Sequence, residues 1–137
     1  MDYQLQLVLI PVSDVDRAKE FYTERAGFDL DVDHQAGDEF RVVQCTPPGS
    51  ACSVAFGIGI NDSEPGSTQG LHLVVEDIEV AHEELIRRGV EVSDVRHMGA
   101  GGWEAGVHPD RDDYASFADF ADPDGNTWVL QEVGHNR

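Results

Sequence analysis

The chain repeats itself once, and that repeat limits the possible folds more than any single motif within it. "PVSDVDRAKEFYTERAGFDL" in the first half and "VVEDIEVAHEELIRRGVEV" in the second each run from an apolar strand end into a helix and stop at a glycine. In the first, Ser13 is the predicted N-cap with Asp16 three residues on, Val15, Ala18 and Tyr22 share one helix face, and Gly27 closes the helix. In the second, Ile78, Ala81 and Leu85 form the apolar stripe and Gly89 closes it. Val12, Val15 and Ala18 map onto Val75, Ile78 and Ala81 at an offset of 63, whereas Gly27 maps onto Gly89 at 62.

Strand-like runs follow each helix: "FDLDVD", "EFRVVQC" and "ACSVAFGIGI" in one half, "VEVSDV", "YASFADF" and "NTWVLQEV" in the other. Each half therefore reads β-α-β-β-β. The turn Pro47-Pro48-Gly49-Ser50 corresponds to Pro123-Asp124-Gly125-Asn126 at an offset of 76, and 76 against 62 leaves 14 extra residues in the second half. They fall within "RHMGAGGWEAGVHPDRDDY", which reads as an inserted aromatic lid with Gly99, Gly101 and Gly102 as hinges. Residues 3–60 and 70–134 are the expected modules, 61–69 the linker, and 1–137 a single domain. A chain of 137 residues suffices, since that length buries about two-thirds of its unfolded surface.

Charge removes several functions. With 27 acidic against 9 basic residues the formal charge is -18, which repels nucleic-acid phosphates and anionic membranes and favours cationic ligands. The same charge also suits a highly solvated surface. No apolar run reaches the length of a membrane span or follows a basic leader, so the expectation is a cytoplasmic protein. Cys45 and Cys52 form neither a CxxC pair nor a disulfide framework. "DPDGNTWVLQ", 122–131, superficially resembles a calcium loop, but Gly125 comes fourth and Val133 stands where the twelfth-position glutamate belongs. It reads as a tight turn joining two strands. Asp29, Asp31 and Asp33 in "FDLDVD" are expected to share one solvated strand face.

The doubled unit, "VSDVDRAKEFY" after the first strand and "FADPDGNTWVL" near the end resemble the vicinal oxygen chelate superfamily, that of glyoxalase I, bleomycin-resistance proteins and extradiol dioxygenases. The resemblance spans about Leu5 to Val133. It implies an α+β fold in which two βαβββ modules pair into a cup-shaped eight-stranded mixed sheet with helices outside, and it implies a homodimer. Enzymes of this family hold a divalent metal with one residue from the first and one from the last strand of each module. The corresponding positions are Leu7 and Gly70, Ser53 and Val129, which offer almost no metal-ligating chemistry. The resemblance therefore implies no metal and no other cofactor. A bulge that turned Glu132 inward is the route by which a displaced metal site would form.

Strand alternation aims His72 and Val74, Ser53 and Ala55, and Thr127, Val129 and Gln131 into the cup. His72, Ser53 and Gln131 are candidate hydrogen-bonding groups for an organic ligand, although buried polar groups satisfied by backbone or water read the same way. Arg41, on an otherwise apolar strand, either clamps a ligand carboxylate or holds acidic neighbours. Trp103 and Tyr114 supply candidate aromatic contacts from the insertion, Trp103 by stacking on a planar ligand or by closing a subunit interface. The expected function is binding of a small organic molecule, as in bleomycin-resistance proteins. The alternative is an enzyme: a glyoxalase-type lyase or isomerase with displaced metal ligands, or a metal-free catalyst using His72 or His97 as general base.

Overall fold

Each half of the repeat folds as one sheet carrying one helix. The computed structural model describes residues 1–137, and the chain divides into two units, Met1–Thr68 with Asp122–Asn126, and Gln69–Ala121 with Thr127–Arg137. Together they form an α+β protein with a four-stranded and a five-stranded sheet.

The first unit contains β1 (Leu7–Leu9), α1 (Val15–Glu20) running on into a π-helical segment (Phe21–Arg25), β2 (Asp29–Gln35), β3 (Arg41–Thr46) and β4 (Ser53–Ile58). Its strands lie in the order β1-β4-β3-β2, with β1 parallel to β4 and the remaining pairs antiparallel. The N-cap of α1 is Asp14, one residue after the expected Ser13: its carboxylate accepts from the Arg17 N–H. Ser13 is thereby free to donate from its backbone N–H and its hydroxyl to Asp124. Val15, Ala18, Phe21 and Tyr22 supply the buried face of the helical segment, and Val43, Cys45, Val54 and Phe56 are buried on the sheet. Tyr22 is fully buried, with its ring 5.4 Å from Phe56 and 5.6 Å from Phe28. Side chains of that size contribute about 2 kcal/mol each on burial. Burial also pushes the Cys45 thiol up to about 11, so it stays protonated.

The "DPDGN" segment closes the β8–β9 hairpin of the second unit, yet it clusters with the first. Buried Asp122 accepts from the Tyr22 hydroxyl at 2.7 Å, from the backbone of Asp124 and Asn126, and from Asn126 Nδ2. Asn126 also donates to the Pro11 carbonyl and accepts from the Thr68 N–H. With its oxygens committed to these donors, Asp122 is the hub of a turn. The three aspartates of "FDLDVD" do not share a face, because β2 bulges between Leu30 and Val32. Asp33 pairs with Lys19 and Arg41 on the helix side, while Asp31 accepts from Thr46.

The second unit contains β5 (Leu71–Val75), α2 (Ile78–Arg87), β6 (Arg96–Gly99), β7 (Gly102–Ala105), β8 (Ser116–Ala121) and β9 (Thr127–Glu132), in the order β5-β9-β8-β6-β7. The chain therefore has nine strands, not eight. "VEVSDV" forms no strand; it meets β8 only through Ser93 and Asp119, whose backbone and hydroxyl groups exchange two hydrogen bonds. The insertion supplies β6 and β7 as a tight hairpin, so Trp103 stands on a strand and not in a flexible lid. Asp77 caps α2, and Ile78 and Leu85 bury its stripe toward a sheet face holding stacked Trp128 and Phe120. No helix is long and apolar enough to cross a membrane.

Candidate functional site

In the second unit the helix covers one face of the sheet and leaves the other without a helix. Register and alternation place two rows on the helix-free face: His72, Val129 and Asp119, then Val74, Gln131, Phe117 and Arg96. Val74 is 59% exposed, so this face presents an apolar side chain to solvent. Arg96 forms a two-pronged pair with Asp119 at 2.9 and 3.2 Å, and its guanidinium lies 4.8 Å from the centre of the Trp103 ring. Trp103 also packs edge-on against Phe117 at 5.3 Å. Held by two neighbours and still half exposed, the indole has its orientation set by the protein itself.

The sequence-predicted residues separate into those this face assembles and those it does not. His72 and Gln131 lie on it, and Trp103 joins them through the hairpin. His72 is exposed, with Nδ1 2.7 Å from the Gly70 carbonyl. Gln131 makes a long bond to the Tyr114 carbonyl at 3.4 Å, while Tyr114 donates its N–H to Glu132 and leaves its ring exposed. Ser53 belongs to the first unit, where it is buried beside Leu7 and its hydroxyl meets that of Thr46 at 2.6 Å.

Arg41 is on the helix side of its sheet and resolves into the second of its two readings. It binds Asp33 at 2.9 and 3.0 Å and Asp16 at 2.8 Å. Those carboxylates take up its donors and leave it no role as a ligand clamp. They raise its pKa, and in turn Arg41 and Lys19 hold the Asp33 carboxyl well below the usual range. His97 is likewise displaced as a general base. Alternation turns it away from His72, it is buried, and its nitrogens face the Gly106 carbonyl at 2.8 Å and Glu104 at 3.0 Å. Neither nitrogen is open to a substrate. Glu104 reaches it by lying across Gly99, where a Cβ would fall 2.5 Å from the carboxyl carbon.

The four positions at which the resemblance implies metal ligands offer few donors. Leu7 pairs with Ser53 in one unit; in the other, the ladder sets His72 beside Val129, and Gly70 precedes the strand. Leucine, glycine and valine provide no ligand, and Ser53 is already committed to Thr46. These residues do not fit a divalent ion. Glu132 does not swing inward, because the β5–β9 and β8–β9 ladders run without a bulge. It is fully buried on the helix side, where it accepts from the Ile78 N–H at 2.9 Å and from Arg111 at 2.7 and 2.5 Å. The arginine bonds hold its carboxyl below the ordinary value, and raise the pKa of Arg111 in return. Asp77, Glu132 and His135 cluster closely enough for a cation, but Arg111 already occupies the carboxylates. In the other such group, the His108 Nδ1 accepts from the backbone of Asp110 and Asp112.

Arg111 is the site residue that the sequence did not single out; Arg96 stands in the inserted segment with Trp103. Arg111 had a detectable signal: alternation puts Glu132 on the face of Trp128 and Leu130, and a carboxylate there demands a cation. The face that Arg96 takes is not legible in the sequence, because it depends on a hairpin register that the glycine-rich segment does not specify.

Comparison with known proteins shows the family and the fold. Residues 4–130 match the family model described as the Glyoxalase/Bleomycin resistance protein/Dioxygenase superfamily, and the chain belongs to that superfamily. It is similar to TnmS3, an antibiotic binding protein from Streptomyces sp. CB03234, at 34% identity, with 96% of each chain covered and a TM-score of 0.73. A superfamily member from Sphaerobacter thermophilus DSM 20745 is 30% identical over 96% of this chain and 98% of its own, also with a TM-score of 0.73. YetH of Bacillus subtilis (strain 168) is 30% identical over 132 residues, 94% of this chain and 98% of that protein.

Proposed function

We propose that this chain binds a small organic molecule on the helix-free face of its second sheet, at a family metal site that has degenerated, and that it sequesters the molecule without using a divalent ion. The observation carrying this reading is the composition of that face. Val74, Val129 and Phe117 make an apolar floor, His72 and Gln131 provide polar contacts, and a pre-oriented Trp103 offers a stacking surface. The likeness to an antibiotic binding protein over nearly the whole chain supports it. A formal charge of -18 favours a cationic ligand. A homodimer, implied by family resemblance, would give a partner to the exposed Leu5, Leu7 and Leu9.

Titration with a panel of aromatic, cationic antibiotics, followed by tryptophan fluorescence, tests the reading. Trp128 is buried, so quenching that disappears in Trp103→Phe reports this face. Quenching should be unchanged by chelator; loss of binding on metal removal would defeat the proposal. One observation favours a second reading, a metal-free enzyme with His72 as general base: the Nε2 of His72 has no hydrogen-bond partner. Ligand recovered chemically altered after incubation, but unaltered with His72→Ala, would select that reading.

A further inference from the structure

The imidazole of His72 is oriented by a chain of hydrogen bonds that starts outside its strand. Thr127 Oγ1 accepts from the Gly70 N–H at 2.7 Å and lies 3.1 Å from Gln69 Oε1. An N–H only donates, so the hydroxyl proton of Thr127 goes to Gln69. Gly70 turns through φ +75°, a region open to glycine, and nothing lies within 4 Å of where its Cβ would be. Backbone shape, not crowding, is what glycine serves there. The Gly70 carbonyl then sits 2.7 Å from His72 Nδ1. Because a carbonyl only accepts, Nδ1 carries the proton, and in the neutral ring the lone pair is left on Nε2. That nitrogen is presented on the exposed His72 side chain, beside Val129 on the neighbouring strand and two residues from Val74 along its own.

We infer that His72 reads the ligand of this face as a hydrogen-bond acceptor, so that the face selects apolar or planar molecules bearing an O–H or N–H donor, phenols and enols over their ethers. The inference rests on the binding reading above and narrows its ligand class. Thr127 and Gln69 act as positioning residues, fixing through Gly70 which ring nitrogen carries the proton. A ligand offering only acceptors sets lone pair against lone pair at Nε2 and loses that contact. Val74, Val129 and Phe117 take the body of either kind of ligand equally.

The test uses 1-naphthol and 1-methoxynaphthalene, which share an aromatic body and differ in the donor. Long-range nitrogen-15 spectra of the histidine rings, recorded with the imidazoles neutral, identify the tautomer directly. The expected result is a proton on Nδ1 of His72, 1-naphthol binding about fivefold tighter than its ether, and shifts at Val129 and Phe117 with both probes. In Thr127→Val the tautomers mix and the ratio falls toward one while the shifts persist; Thr127→Ser restores both. A proton on Nε2 in the wild type, or equal binding of the two probes with the floor residues shifted, overturns this inference and leaves the binding reading standing. Failure of both probes to shift the floor residues removes the binding reading and the inference with it.

Discussion

Both units tie the first turn of their helix to their sheet through an arginine, but they draw that arginine from different places. In the first unit Arg41, on β3, joins Asp33 of β2 to Asp16 in the first turn of α1. In the second, Arg111 comes from the insertion and joins Glu132 of β9 to Asp77 and Glu79 at the start of α2. Asp16 and Glu79 stand 63 residues apart, as do the caps Asp14 and Asp77, so the helix ends have kept their acids. Their partners have diverged. Asp33 remains 22% exposed, whereas Glu132 is fully buried, which makes the second arginine far less dispensable. The insertion therefore supplies the cation against which Glu132 is buried, as well as carrying Trp103.

The largest expected effect is that of Arg111→Ala, which leaves a buried carboxylate without its cation and should cost about 3 kcal/mol in urea unfolding. Arg41→Ala removes a pair whose acids still reach water and should cost no more than about 1 kcal/mol. Equal losses would break the comparison. Ligand affinity should follow the second unit alone: Trp103→Ala is expected to weaken aromatic ligands about tenfold, and Arg41→Ala to leave them unaffected. Acid unfolding sharpens the contrast further. Glu132 has a lowered folded pKa, so its stabilisation is fully present above the ordinary value near 4.5 and is lost as pH falls from there through the folded value. Arg111→Ala removes the main cause of that lowering, so the acid limb of the stability curve should become shallower. Asp33 obeys the same sign from its ordinary value of 3.8, and Arg41→Ala should reduce the acid loss that it contributes.

Much of this was legible from residues alone, because it depends on short-range periodicity. The repeat, the helix stripes of Val15, Ala18 and Tyr22 and of Ile78 and Leu85, the tight turn at Gly125 and the shared face of His72, Val129 and Gln131 all follow from spacing. The N-cap falls at Asp14, one residue after the expected Ser13, since both are competent caps and distant Asp124 engages Ser13. Alternation alone predicts one face for Asp31 and Asp33, because a bulge leaves no mark in a run of alternating residues.

The amino-acid sequence by itself determined the repeated strand–helix–strands pattern, the family and the absence of ligating side chains at Leu7, Gly70 and Val129, because these depend on residue identity and spacing along the chain. Tertiary structure alone decided where charges found partners: Arg41 turned to Asp33, His97 was enclosed between Gly106 and Glu104, and Arg111 reached Glu132. The physical reason is that a long polar side chain can serve several neighbours, and its choice rests on which acceptor the folded backbone brings within about 3 Å of it.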